Sequence, residues 1–292
     1  MAKAAASGET AHAKTASEKA APGETAPGAS ASAFPAYTDA HAHLSYVAER
    51  LGEAELGRIA AAYEGSGALI LDPGVELGDY RARKERFGRY RFVRFAAGVW
   101  PDPTPFLSID AALAALEGDL QDEGCVAVGE CGLDYHWRHG GPAAQDRLFR
   151  GQAELAVRYD KPLIVHSREA FADTLRVVRD YAGRVAIVIH CFGYGPEEAE
   201  AFLKAGCYLS FAGNLTYAKA EPLRRALAIA PADKLLLETD APYMNPMPRR
   251  GKDASPLDIE RTYAAAAAIR GVGVEGLREA STKNLMGILG ER

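Results

Sequence analysis

Eight short apolar runs punctuate the chain from residue 34 onward, at 34–44, 68–73, 93–99, 125–133, 162–166, 185–191, 207–211 and 235–238. Between them lie longer stretches with apolar residues every three or four positions, at 46–63, 111–120, 145–159, 170–181, 196–205 and 221–229. That period fits a helix with one buried stripe. Two more helical patterns, near 256–269 and 274–289, end the chain. Pro196 and Pro256 stand where a helix tolerates proline in its first turn. The apolar runs are near-continuous rather than alternating, as in Ala68-Leu69-Ile70-Leu71 and Leu235-Leu236-Leu237. Strands covered on both faces read this way, and a parallel sheet under helices is the usual case. Eight strand–helix units predict an α/β fold, a (β/α)8 TIM-type barrel, as a single domain over residues 34–292. An open doubly wound sheet is the alternative, but it often carries a Gly-rich first turn, and none follows the first run.

Residues 1–33 break the pattern. They are mostly Ala, Ser, Thr, Glu, Lys, Pro and Gly, with no large apolar side chain between Met1 and Phe34. Such a segment buries too little surface to offset its ordering entropy, so a disordered tail is expected. It has no apolar stretch of the signal-peptide kind, and Glu9, Glu18 and Glu24 without any Arg argue against a transit peptide. His12 lies in the tail and is given no role.

Composition narrows the function classes. The net charge of −5 leaves no global basic face. A nucleic-acid partner would have to be held locally, by metal and a few cations. Cys125, Cys131, Cys191 and Cys207 form no C-x-x-C pair and lie in or beside apolar runs, so reduced, buried thiols of a cytoplasmic protein are expected. No apolar stretch is long enough to cross a bilayer. Nothing in the chain calls for a protein partner or a dimer, and a monomer is expected.

Polar residues end several of the apolar runs. His41 and His43 end the first, two residues apart, so in an extended chain both imidazoles point to one face. Glu130 ends the fourth run, His166 the fifth, His190 the sixth, and Glu238 and Asp240 the eighth. A lone His or Glu at a strand end is ordinarily a hydrogen-bonded structural residue. Here four of the seven histidines end a run on the same side of the expected sheet, where barrels of this kind carry their active sites. Four His, one Glu and one Asp at one mouth suffice for two divalent ions with positions left for water, and Glu130 is central enough to bridge them. His136 and His139 lie in a polar loop, where solvent or substrate contact is the simpler reading.

The motifs carrying these residues are Asp39-Ala40-His41-Ala42-His43, Gly129-Glu130-Cys131-Gly132-Leu133-Asp134-Tyr135, His166-Ser167-Arg168, His190-Cys191-Phe192, Glu238-Thr239-Asp240-Ala241-Pro242-Tyr243 and Arg250-Gly251-Lys252. In this order they resemble the TatD family of metal-dependent deoxyribonucleases, within the amidohydrolase-like metallohydrolases, from about Tyr37 to the C-terminus. The resemblance implies that His41, His43, Glu130, His166, His190 and Asp240 are metal ligands, with Glu130 bridging. It further implies Mg- or Mn-dependent exonuclease action on DNA, with Zn able to occupy the site. Three positions depart from the family pattern: Asp253-Ala254-Ser255-Pro256 after Arg-Gly-Lys, Glu169 after His-x-Arg, and Leu289 near the end.

The chemistry expected is hydrolysis by a water activated between two divalent ions, Mg, Mn or Zn, with Asp240 taking its proton and Glu130 bridging. Glu238, two residues before Asp240 and on the same face of a strand, is a candidate for a further ion or for orienting a ligand, and equally for a salt bridge. Arg168 and Lys252, with Arg249 and Arg250, are candidates to hold DNA phosphates. Tyr135, Trp137 and Phe192 are candidates to stack on a base and equally for burial in loops. Two alternatives stay open: a metallohydrolase of the same barrel type acting on a small amide, ester or aminoacyl-tRNA, and a non-catalytic metal-binding interaction protein.

Overall fold

The computed structural model describes residues 36–291. The tail expected at 1–33 and the first two residues of the first apolar run lie outside these. Seven strands form one parallel sheet in chain order: β1 (Ile70–Asp72), β2 (Val93–Ala97), β3 (Cys125–Asp134), β4 (Leu163–Arg168), β5 (Ile187–Ile189), β6 (Tyr208–Phe211) and β7 (Leu235–Leu237). Helices α1 (Leu44–Leu51) and α2 (Glu53–Tyr63) precede β1, and α9 (Ile259–Arg270) and α10 (Val274–Ile288) follow β7. Between them α3 (Tyr80–Phe87), α4 (Ile109–Leu120), α5 (Gly141–Arg158), α6 (Phe171–Tyr181), α7 (Pro196–Lys204) and α8 (Glu221–Ile229) each link one strand to its parallel neighbour, as strand–helix–strand crossovers require. α6 shows why these segments are helical: Thr174, Leu175, Val178 and Tyr181 recur at helical spacing and bury one face. No helix of the described residues is long and apolar enough to cross a membrane.

Two apolar layers hold the sheet. The larger lies between strands and helices and contains Phe87, Phe149, Phe202, Phe211 and Tyr263. The smaller gathers Leu71, Ala96, Ala127, Ile164, Val188 and Leu236 from successive strands, with Leu285 and Ile288 of α10 against them. Because the strands are covered on both sides, alternation disappears from their sequences.

The first of the eight expected strands forms no regular strand among the described residues. Residues 38–43 lie between the two sheet edges and make isolated bridges, Asp39 to Ile70 and Ala42 to Ala241. The Asp39 and Ala42 N–H groups donate to Leu69 and Leu71 beside β1, whereas those of Ala40 and His43 donate to Leu237 and Ala241 on the β7 side. The regular ladder is interrupted because the Asp39 carboxylate accepts from the His41 and Thr239 backbone N–H groups, at 3.2 and 2.9 Å. A side chain thus replaces a backbone acceptor where the two histidines turn inward.

Three boundaries also differ from the sequence pattern. The stretch at 46–63 is two helices, broken at Gly52, whose φ of 82° suits glycine. α3 has no counterpart among the expected helices, because its buried face is Tyr80, Arg83 and Phe87, with a charge where the pattern needs an apolar residue. β3 runs on to Asp134, carrying that carboxylate into the sheet.

Candidate metal centre

The polar run-end residues converge at the C-terminal end of the sheet. Although their segment is not a strand, His41 and His43 bring their Nε2 atoms within 3.3 Å of each other. Asp240 Oδ1 lies 3.4 Å from His43 Nε2 and 3.9 Å from His41 Nε2. Glu130 Oε1 lies 3.1 Å from His41 Nε2 and 2.8 Å from His190 Nε2. His166 Nδ1 stands 3.4 Å from His190 Nε2. The His41 and His190 rings stack at 3.9 Å. Potential ligand atoms fall into overlapping groups, His41–His43–Asp240 and Glu130–His166–His190, with His41–His190–Glu238 as a third.

The donor set fits divalent transition or alkaline-earth ions: imidazole nitrogens and carboxylate oxygens, almost all buried. Nδ1 of His41, His43 and His190 is buried without a hydrogen-bond partner, so Nε2 is the nitrogen each ring offers to the cluster. The charges are strongly coupled. Burial alone would raise the Glu130 carboxyl, but His190 and His41 outweigh it and hold it well below the usual range. Burial likewise opposes charge on His190, yet Glu130 and Glu238 raise it well above an ordinary histidine. At Asp240 the His43 hydrogen bond overcomes burial and lowers the carboxyl. The histidines that face them thus hold both carboxyls below their ordinary range despite burial.

Glu238 lies deeper than the strand argument placed it. β7 ends at Leu237 and Asp240 adopts φ 54°, so strand alternation does not relate Glu238 to Asp240. Glu238 is fully buried, accepts from the Cys191 N–H at 2.6 Å and from the Ser210 hydroxyl, and lies 3.5 Å from His190 Nδ1. It braces the His190 side of the cluster.

A cleft of about 880 Å³ opens over the cluster, with Trp100, Trp137, Arg168 and Tyr243 among its walls. Lys252 is exposed on the loop between β7 and α9 and does not line this cleft. Arg249 pairs with Asp258 at 3.0 Å, and Arg250 lies over the Tyr217 ring at 4.5 Å. Of the three aromatic candidates, only Trp137 stands on the wall, 57% exposed. Phe192 is wholly buried against Phe202 and Phe211, and cannot stack on a ligand. Tyr135 donates its hydroxyl to Asp173 at 2.9 Å, away from the cleft. His136 is exposed and faces Glu169 at 3.1 Å.

Several residues that shape the site have no assigned role in the sequence reading. Asp134 lies 2.9 Å from His166 Nε2 and fixes that ring with Nδ1 toward His190. An even spacing from Glu130 along β3 was the available signal. Asp39 ties the segment of His41 and His43 to that of Asp240, accepting from the Thr239 hydroxyl and backbone N–H at 2.6 and 2.9 Å. Burial pushes its carboxyl up to about 8, against hydrogen bonds that favour the charged form. Arg83 donates to Asp72 Oδ2 and the Asp72 carbonyl at 2.9 Å, to Asp79 at 2.8 Å and to the Ala96 carbonyl at 2.7 Å. Asp72 Oδ1 in turn accepts from the Leu44 N–H at 2.9 Å, directly after His43. Nothing in the sequence around Arg83 marked it.

Close backbone contact under Glu130 gives a steric prediction. A Cβ on Gly98 would meet the Gly129 carbonyl carbon at 2.3 Å and the Glu130 nitrogen at 2.6 Å. Backbone cannot move aside as a flexible side chain would, so Gly98→Ala is expected to displace Glu130 and weaken metal retention at least about tenfold, the scale on which supports of metal ligands act. Equilibrium dialysis against Mn checks this; wild-type retention would show that the backbone yields without moving Glu130.

Comparison with known proteins agrees with this geometry. The family model described as TatD related DNase matches residues 38–290. The uncharacterized metal-dependent hydrolase YcfH of Escherichia coli K12 is 36% identical over 223 residues, covering 74% of this chain and 81% of that protein. A protein of Edwardsiella piscicida named as the 3'-5' ssDNA/RNA exonuclease TatD is 40% identical over 152 residues, 51% of this chain and 58% of its own. Among solved structures, the TatD homolog YJJV of Escherichia coli K12 superposes with a TM-score of 0.76 at 27% identity, over 88% of this chain and 98% of that one. The chain belongs to the TatD-related DNase family of metal-dependent hydrolases.

Proposed function

We propose that this protein is a nuclease that hydrolyses phosphodiester bonds at the ends of DNA strands, using two divalent ions, Mg, Mn or Zn. The observation that carries the reading is the single oxygen, Glu130 Oε1, within 3.1 Å of His41 Nε2 and 2.8 Å of His190 Nε2. One carboxylate oxygen beside two groups of potential ligands suits a pair of neighbouring ions acting on one phosphoryl group. His41, His43 and Asp240 would hold one ion, His166 and His190 the other, and Glu130 both. The name of the Edwardsiella relative supports nucleic acid as the substrate. We also infer that residues 38–43 serve as the eighth stave of a closed barrel, a reading supported by their backbone bonds to both sheet edges.

Ions bound there would supply positive charge against the phosphoryl oxygens and lower the pKa of a water between them. Asp240, which lines the cleft, accepts the proton of the attacking water. Its oxygen bonds to phosphorus, the bond to the departing sugar oxygen breaks, and that oxygen is protonated from solvent. Asp134 keeps His166 oriented throughout, and the Glu238 carboxylate stays beside His190. The lining carries Glu76, Asp102, Glu130, Asp134, Glu169 and Asp240, and among the described residues Arg168 is the one Lys or Arg that lines it. A phosphodiester therefore meets a negative cleft unless cations fill it, and both binding and turnover are expected to depend on metal.

The test uses protein stripped with chelator and reloaded with Mg, Mn or Zn, then given end-labelled single-stranded DNA. Shortening that needs metal is the expected result. Intact DNA with every metal, while elemental analysis finds the ions bound, would sink the nuclease reading.

A further inference from the structure

The cleft can hold only the end of a polymer, so the remainder of a strand must leave across the rim. The rim is unequal in charge. The loops after β1, β2 and β4 bring Glu76, Asp102 and Glu169 to the cleft walls. The loops after β6 and β7 are different. They carry Lys219, Arg250 and Lys252, all exposed, and none has a carboxylate within 4.0 Å among the described residues. The two loops form one surface: the Met247 N–H donates to Thr216 Oγ1 at 2.8 Å and the Tyr217 hydroxyl to the Asn245 carbonyl at 3.1 Å. Arg250 lies over the Tyr217 ring at 4.5 Å, which holds the guanidinium at the surface without neutralising it. The surface is continuous with the cleft, because Asn214, Tyr243 and Met244 of the same loops line it. Met247, 47% exposed, adds an apolar contact beside the cations. At the one departure from the family pattern within this loop, Asp253 turns toward Arg50 at 3.2 Å, so it does not neutralise Lys252.

We propose that Lys219, Arg250 and Lys252 form the track along which the uncleaved body of a single-stranded nucleic acid runs while its end occupies the metal centre. This rests on the nuclease reading for the end of the strand. The track itself is a binding surface and is read separately. A flexible single strand fits better than a duplex, because the cations sit on two loops that meet beside the cleft and a rigid rod would have to clear the acidic rim as well.

The experiment measures binding of a fluorescent thymidine oligonucleotide, about 20 long with phosphorothioate linkages to slow its hydrolysis, to the Mg-loaded full chain across a salt series. The track variant is Lys219→Glu/Arg250→Glu/Lys252→Glu. The control, Arg179→Glu/Arg261→Glu/Lys283→Glu, makes the same charge change on exposed sites of α6, α9 and α10. The track variant is expected to bind at least tenfold more weakly at low salt, with a slope of log affinity against log salt shallower by about 2, the value for three phosphate contacts on a single strand. The control stays within about threefold of wild type. Equal loss in both variants makes the effect one of net charge and overturns the track. So does no loss in the track variant, or no binding by wild type. Hydrolysis of ordinary DNA, followed in parallel, separates the two claims: track-dependent binding without cleavage would keep the surface and reject the nuclease.

Discussion

Exchanging Asp240 for asparagine is expected to lower kcat on a phosphodiester about a hundred- to ten-thousandfold, the range over which a positioned proton acceptor acts. The side chain keeps its shape and loses the basic oxygen. Its backbone tolerates the change: Asp240 sits at φ 54°, a left-handed conformation that Asn adopts readily and Ala does not. The surrounding bonds, from the Asp240 N–H to the His41 carbonyl at 2.9 Å and from the Tyr243 N–H to the Asp240 carbonyl at 2.8 Å, involve main chain only. Asp240→Asn should therefore fold as wild type, whereas Asp240→Ala mixes lost chemistry with strain. Because Asp240 also faces His41 and His43, the variant will hold metal less tightly. Steady-state rates at rising Mn separate the two effects: occupancy recovers and kcat does not. A kcat that returns to wild type in excess Mn would remove Asp240 as the proton acceptor and leave it a ligand alone.

Replacing Arg83 with methionine is expected to cost about 3–5 kcal/mol, read as a lower midpoint in urea unfolding, because it leaves the buried Asp72 carboxylate without its partner. Both groups are almost fully enclosed, at 5% and 0% side-chain exposure, so solvent screens them little. Arg83→Lys should recover only part of the loss. One ammonium cannot reach four acceptors arranged for a planar fork: two on Asp72, one on Asp79 and the Ala96 carbonyl. The damage also reaches the centre, since Asp72 anchors the Leu44 N–H beside His43. Reduced metal retention under fully native conditions is expected with the stability loss. An unfolding midpoint within error of wild type would mean that water replaces the guanidinium and that the pair is not a support.

The strands were legible because both faces of the sheet are covered, so runs such as Ile187–Ile189 and Leu235–Leu237 are apolar without interruption. The first run was misleading for a chemical reason. Residues 38–43 have a strand's sequence and the right partners on each side, but Asp39 takes backbone N–H groups that a ladder would have used. α3 was missed because burial there serves a charge network, and periodicity counts only apolar residues. Within the centre, His41, His43, Glu130, His166, His190 and Asp240 could be singled out in the sequence, since each is a polar residue at or near the end of an otherwise apolar run. Their supports could not. Asp72, Arg83 and Ser210 act across elements distant in the chain, and no local pattern relates Arg83 to His43 or Ser210 to Glu238. Phe192 took the second of its two readings: an aromatic next but one to His190 in sequence points into the core.

The most direct measurement titrates chelator-stripped protein with Mn and follows cleavage of end-labelled single-stranded DNA against metal bound per chain. On the proposal that Glu130 serves two ions, activity should be absent without metal and reach its plateau at two equivalents. A plateau at one equivalent, or an undiminished rate in chelator, would contradict the shared two-ion centre.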